Sequence, residues 1–246
     1  MSARRWLLAA GVLGICARSV AASGPATDLE GQAYAGAADG QWTCGPKGSV
    51  RYGGVGGQVR FQSRPEPAPL VPPEDGVHLE LRAVAEQRTY ALECAPGPDC
   101  RASNGVYGAG SALIGIDWRY IGVSGGLLGL NGVGHDGKRR DEILPQLRLR
   151  SPRVAGATRL ELGFGSPTLA GTARPGLYVA SYTGTDRLGI SAFLGIHRVF
   201  EDTGAWRGGL EVRSPLGERA WFGVTAVGQG DHRFHPEGGL LFGARL

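Results

Sequence analysis

The feature that most constrains this chain is a two-residue alternation of apolar with small or charged side chains, repeated in short segments across residues 48–246. In the clearest segment, residues 188–196, aliphatic side chains at every second position alternate with glycine, serine and phenylalanine. A period of two places the two sets on opposite faces of a β-strand. About twelve such segments therefore predict an all-β fold.

The two faces of these strands carry opposite chemistry. One face is aliphatic, and the other is small or charged with both signs. In a soluble β protein the aliphatic face points into the core. In a membrane barrel it meets lipid, and the polar face lines the lumen. The alternation is the same in both cases, so it does not choose between them.

The membrane arrangement assigns particular residues to each face. The residues predicted to face the lumen, as internal ion pairs filling a narrow barrel, are Arg51, Arg60, Glu80, Arg82, Arg148, Arg150, Glu161, Glu211, Arg213 and Arg245. The residues predicted to face lipid are Leu160, Leu162, Phe164, Leu188, Ile190, Leu194, Ile196, Leu240, Phe242 and Leu246.

The connections between segments favour the membrane arrangement. We place the first strand at residues 48–63 and separate strands at 77–85 and 88–94. Long connections then alternate with tight turns; the long ones are residues 64–76, 95–108, 132–142, 166–175, 199–206 and 229–236. Short turns on one side and long loops on the other are typical of outer-membrane barrels. We therefore predict a single antiparallel up-and-down transmembrane β-barrel of about 10–12 strands, with both termini on the side of the tight turns.

The N-terminus has the three parts of a signal peptide. Arg4 and Arg5 precede an apolar run at residues 6–16, and small residues follow. The run is too short to span a bilayer as a helix. We predict a signal peptide at residues 1–22, a flexible periplasmic segment at 23–47 and the barrel at 48–246.

Charge and cysteine content fit an exported protein. The leader carries Arg4, Arg5 and Arg18 and no acidic residue, so the rest of the chain is close to neutral. Nucleic-acid binding requires a clustered basic excess, and we predict none. In an oxidising compartment we expect a disulfide between Cys94 and Cys100, which flank a turn-rich stretch. Cys44 is then left without an assigned partner.

Three patterns could carry chemistry. Residues 122–126 match G-x-S-x-G around Ser124, but the residues that follow predict more strand instead of the helix that a nucleophile elbow requires. His197 could be the base of a lipid-modifying barrel enzyme, although no serine is its obvious partner. His232, His235 and Glu237 are weak candidates for metal ligands. We predict no catalytic residue, no metal and no cofactor.

Residues 48–246 resemble a small outer-membrane β-barrel of the Gram-negative type. The last strand, with Leu240, Phe242, Ala244 and Leu246 on one face, is similar to the family's C-terminal assembly signal, although an aromatic residue is usual where Leu246 stands. The resemblance implies a monomer in outer-membrane lipid, inserted by the barrel-insertion machinery through its C-terminal strand. It also implies a non-catalytic role, as a structural or small-solute channel component.

Two alternatives remain at this point. A secreted or periplasmic soluble β-barrel or sandwich, binding an apolar ligand or a protein partner, would bury Leu188, Ile190, Leu194 and Ile196 in its core. A barrel enzyme acting on lipid would depend on Ser124 or His197.

Overall fold

The structure, a computed structural model, describes residues 25–41, 47–63, 70, 76–93, 104–118, 120–134, 138–154, 158–198, 204–230 and 235–246. The predicted signal peptide, the cysteines at 44, 94 and 100, and His232 lie outside these residues. Within them, no helix has the length and apolarity needed to cross a bilayer.

Twelve antiparallel strands form one closed barrel in the described part of the chain. They are β1 (Ala26–Gln41), β2 (Lys47–Gln62), β3 (Gly76–Glu93), β4 (Asn104–Asp117), β5 (Gly122–Val133), β6 (Arg139–Arg150), β7 (Thr158–Gly165), β8 (Gly176–Gly184), β9 (Gly189–Arg198), β10 (Gly204–Pro215), β11 (Ala220–Gly230) and β12 (His235–Arg245). Each strand pairs with its neighbours along the chain, and β12 pairs with β1. The predicted antiparallel up-and-down β-barrel is confirmed.

The expectation that residues 23–47 form a flexible segment outside the barrel is wrong. β1 pairs with β2 along its whole length and with β12 from Asp28 to Gly36, which closes the sheet. The outward positions of β1 include Gly31, Ala33 and Ala35. Their small side chains make the apolar alternation too weak to recognise, while backbone pairing on both sides holds the strand in place.

The predicted strands at 77–85 and 88–94 form the single strand β3. The polar run Glu86-Gln87-Arg88 resembles a turn in the sequence, but Glu86 and Arg88 continue the inward-facing set and Gln87 continues the outward-facing one. The prediction therefore counts one strand too many at β3 and omits β1. The two errors cancel, and the number of strands is twelve.

Both termini lie at one end of the barrel, called the terminal end below, because Asp28 of β1 pairs with Arg245 of β12. The opposite end is called the distal end. We expected all long connections at one end of the barrel and the tight turns at the other, and this is only partly observed. The connection between β2 and β3 lies at the terminal end, whereas the other long connections lie at the distal end. Several distal connections are also shorter than expected, because β5 extends to Val133 and β6 begins at Arg139.

The outer face carries an apolar belt. On β3 the outward residues at positions 77, 79, 81, 83 and 85 are Val, Leu, Leu, Ala and Ala, and the first polar one is Gln87. Nine residues of strand match the length that a tilted strand needs to cross a bilayer.

The inner face is narrow, and rings on one strand lie over glycines on the next. Tyr34 is paired with Gly54 and Tyr107 with Gly132, and a methyl group added at Gly54 would lie 2.8 Å from the Tyr34 ring. The other such pairs are Tyr52 with Gly36, Tyr178 with Gly163, Phe193 with Gly209 and Trp221 with Gly243. These glycines leave the space that the rings occupy.

Candidate functional site

The inner face of the barrel holds most of the residues predicted to be lumenal. Those that line or fill the lumen are Arg60, Glu80, Arg82, Arg148, Arg150, Glu161, Glu211, Arg213 and Arg245. Glu80 forms ion pairs with Arg82 and Arg148, with an N–O distance of 2.9 Å in each. Arg150 forms an ion pair with Glu161 at 2.7 Å. Side chains of both signs therefore neutralise one another inside the barrel.

Arg51 is the exception, and its assignment to the lumen is wrong. Val50 and Tyr52 are buried on the inner face, so Arg51 between them is exposed on the outside. Along a regular strand an odd and an even position cannot share a face, and Arg60 occupies the inner one. Arg51 lies beyond the apolar belt, towards the distal end, where an outward charge meets water.

The residues predicted to face lipid lie on the outside of the barrel. Leu160, Leu194 and Leu240 are each about half exposed, at 53%, 49% and 51%. Phe164 has the same orientation with less exposure. The others on this face are Leu162, Leu188, Ile190, Ile196, Phe242 and Leu246.

A short segment crosses the lumen. The connection between β7 and β8 contains a 3-10 helix, Ala170–Ala173, and residues 168–174 of the connection are buried. The helix contacts β1, β2, β3 and β4, on the far side of the barrel from β7 and β8. Residues 166–175, expected to form a long external loop, are instead a plug.

Arg174 anchors the plug to the wall through two carboxylates. Its guanidinium contacts Glu86 at 2.5 Å and Glu237 at 2.9 Å, and it lies 4.0 Å from the ring centre of Tyr52. Each carboxylate has a second arginine partner on the wall, Arg88 for Glu86 and Arg207 for Glu237, both at 2.6 Å. Planar arginine suits this role because it can donate to two carboxylates while it stacks on an aromatic ring.

Wall side chains also bind the plug backbone. Gln32 accepts a hydrogen bond from the Ala170 N–H at 2.9 Å, and Arg82 donates to the Ser166 carbonyl at 2.9 Å. Leu169, 2% exposed, packs into an apolar cluster that includes Tyr34 and Tyr52. The plug therefore has both polar and apolar contacts with the wall.

The plug was not predicted because residues 166–175 show no strand period. The signal in the sequence is its composition, since Leu169, Ala170 and Ala173 are apolar in a stretch expected to meet water.

Two of the three metal candidates, His235 and Glu237, lie within the described residues. Glu237 is held between Arg174 and Arg207, and His235 lies two residues earlier on the same strand. Among the described residues, no group of three or more potential ligands is assembled.

Ser124 has a partner that was not predicted. His78 Nε2 lies 3.1 Å from Ser124 Oγ, and His78 Nδ1 lies 3.1 Å from Asp117 Oδ2. His197, considered above as the base of a barrel enzyme, lies elsewhere, with its Nδ1 2.8 Å from the carbonyl oxygen of Arg174. In the sequence, His78 alternates with Leu79 and Leu81 and so shares the charged face with Glu80 and Arg82. Only the register of β3, β4 and β5 brings it to Ser124.

The Asp117–His78–Ser124 chain has the connectivity of a serine-hydrolase triad but lacks access for a substrate. The three side chains are at most 3% exposed, and none lines the lumenal cavity described below. A nucleophile must reach an acyl carbon with oxyanion donors nearby. The arrangement joins three strands: His78 is paired with Gly115, and Gly115 with Ser124.

Gly115 leaves the space in which this chain forms, which gives a test of its structural role. A methyl group at Gly115 would lie 2.6 Å from His78 Cε1 and would overlap Ser124 Oγ. We expect Gly115→Ala to lower the unfolding temperature of the purified barrel clearly, as overpacking costs about 1–3 kcal/mol.

The control for this substitution is Gly110→Ala on the outer face of the same strand, where the nearest atom would lie 3.7 Å away. It should leave the unfolding temperature nearly unchanged. Equal effects of the two variants, followed by circular dichroism on heating, would contradict the packing argument.

Solved structures similar to this chain are outer-membrane proteins. An outer-membrane channel of Pseudomonas putida F1 aligns with a TM-score of 0.50 and 8% identity, over 94% of this chain and 98% of that one. The translocator domain of the autotransporter NalP of Neisseria meningitidis aligns with a TM-score of 0.39 and 12% identity, over 99% and 95%. A mutant porin of Rh. blastica aligns with a TM-score of 0.31 and 10% identity, over 88% and 99%.

No protein-family model matches the chain, and no curated protein matches it. At 8% identity, the likeness to the Pseudomonas channel concerns the fold. By its closed antiparallel sheet and this likeness, the chain has the fold of the outer-membrane β-barrels.

Proposed function

We propose that the protein is a bacterial outer-membrane barrel that acts as a narrow channel for small solutes, held closed by the plug between β7 and β8. The proposal combines the barrel, the charged lumen and the plug anchored by Arg174. The solved channel from Pseudomonas putida is a precedent for this role on this fold.

The observation that carries the membrane assignment is the polarity of the wall. Leu188, Ile190, Leu194 and Ile196, which a soluble β protein would bury, are 38–49% exposed. Glu80, Arg148 and Glu161 are at most 3% exposed inside. Soluble monomers rarely expose apolar surface on this scale. This arrangement supports lipid as the surrounding medium and argues against the soluble alternative.

Export and assembly follow from the same proposal. Residues 1–22 would direct export, and the barrel-insertion machinery would recognise β12 with its outward Leu240 and Phe242. Because β1 and β12 pair within one chain, no strand edge of the closed sheet needs a second copy. This supports a monomer.

A charge on the outer face tests the membrane assignment. Leu194 lies near the middle of β9, and we expect Leu194→Arg to destabilise folding into lipid vesicles by about 2–4 kcal/mol. The control Leu194→Ala removes the side chain without adding a charge and should fold nearly as well. Heat-modifiability gels after refolding from urea measure both, and equal yields would contradict the assignment.

Release of the plug tests the channel. Arg174→Gln removes the charge that joins the plug to Glu86 and Glu237, while Arg88 and Arg207 still pair with these carboxylates. A hydrogen bond to a charged group contributes about 1.5–3 kcal/mol, so the loss corresponds to about tenfold to a hundredfold in the equilibrium between plugged and open barrels. We expect the open probability in planar bilayers to rise accordingly.

Arg51→Gln is the matched control, because it removes an arginine from the outer face and leaves the plug untouched. It should conduct like the unaltered protein. A closed lumen in Arg174→Gln, with the barrel still folded, would refute control by the plug.

A lipid-hydrolysing barrel is the second candidate, favoured only by the Asp117–His78–Ser124 chain. Because Ser124 is 1% exposed, we expect a fluorophosphonate probe to leave it unlabelled in the folded barrel. Ser124→Ala serves as the control, and mass spectrometry locates any adduct. Labelling at Ser124 would support the enzyme and count against a purely structural role.

A further inference from the structure

A cavity of about 130 Å³ lies in the lumen at the terminal end. Pro167 and Leu169 of the plug form its distal boundary, and Leu70 of the connection between β2 and β3 contributes a buried apolar side chain. Charged side chains of the barrel wall form much of the remaining lining.

Seven arginines line this cavity, and six of them have a carboxylate within ion-pair distance. Arg213 contacts Glu211 at 2.5 Å and Glu30 at 3.1 Å, and Arg245 contacts Asp28 at 2.7 Å. The remaining pairs are Arg82 and Arg148 with Glu80, Arg150 with Glu161 and Asp117, and Arg159 with Asp117.

Arg60 is the seventh arginine, and it differs from the rest. No carboxylate of the described residues forms an ion pair with it, whereas each of the other six has one. Its Nε is buried with no hydrogen-bond partner, as are those of Arg82 and Arg213. The side chain lines the cavity from β2. The side chain as a whole is partly buried, and a charge in the lumen without a close counter-charge favours the binding of an anion.

The charge balance of the cavity also favours the binding of an anion. Six carboxylates, at Asp28, Glu30, Glu80, Asp117, Glu161 and Glu211, form ion pairs with six of the seven arginines. One positive charge remains among the described residues of this network. It matches an anion that carries a single negative charge.

Part of the cavity lining is apolar. Leu70, Pro167 and Leu169 lie around the same space as Arg60. Guanidinium groups bind carboxylates through paired N–H donors, and the apolar side chains suit a short hydrocarbon chain. We propose that the terminal cavity binds a small organic monocarboxylate, with Arg60 as the group that receives its charge.

This site goes beyond the proposed channel, because it requires the folded lumen but no conduction. Binding can therefore be measured on the detergent-solubilised barrel, with butyrate as the probe, by calorimetry at constant ionic strength. We expect butyrate to bind and n-butylammonium, of similar size and opposite charge, not to bind. If the barrel binds butyrate but shows no conductance, the binding site is supported and only the proposed channel function is refuted.

Two substitutions test the role of Arg60. Arg60→Gln should weaken butyrate binding about tenfold or more, since it removes a charged hydrogen-bond donor. It should still fold, because it removes a charge that has no partner. Arg51→Gln, on the outer face of the same strand, should bind butyrate like the unaltered protein.

Glu211→Gln should change the affinity for butyrate in the opposite direction. It raises the positive surplus of the cavity and should tighten butyrate binding. Unchanged affinity in both Arg60→Gln and Glu211→Gln would overturn the site, and so would equal binding of n-butylammonium. Binding of inorganic phosphate without binding of butyrate would overturn the assignment to carboxylates.

Discussion

The pairing of arginines with carboxylates inside the barrel is the constraint on which the rest of the structure depends. Because the outer face is apolar, the charged residues of the strands gather in a lumen only a few side chains wide. Glu80 between Arg82 and Arg148, and Glu237 between Arg174 and Arg207, show how each carboxylate is neutralised more than once. A buried charge that lost its partners would be costly, so these contacts fix which inner residues must face one another and hence the register of the strands.

The plug belongs to the same network. Arg174 shares Glu86 with Arg88 and Glu237 with Arg207, so the wall supplies both carboxylates and the plug supplies the bridging cation. The wall carboxylates remain paired when the plug leaves, because each keeps its own arginine. This redundancy separates the stability of the barrel from the position of the plug. It would allow the folded barrel to exist both in the plugged form and in the open form that the proposed channel requires.

The sequence predicted whatever depended on period two and missed whatever depended on pairing across strands. β9 could be recognised because its outward residues are large and aliphatic, whereas β1 could not, since its outward residues are small. Arg51 was misplaced because its position relative to Arg60 violates the two-residue period. The contact of His78 with Ser124 needed the register of three strands, and the plug needed a loop that turns inwards. None of these long-range contacts follows from the two-residue period.

The glycine content, 43 of 246 residues, follows from the narrow lumen. Rings such as Tyr34, Tyr107 and His78 lie directly opposite glycines on neighbouring strands, where a side chain would collide with them. Each pair fixes the position of its ring across the lumen, so the wall has little freedom to widen by moving these rings. In the proposed channel, a solute path would therefore have to come from displacement of the plug. In the plugged barrel, the cavity beside Arg60 is the space at the terminal end that a small anion can occupy.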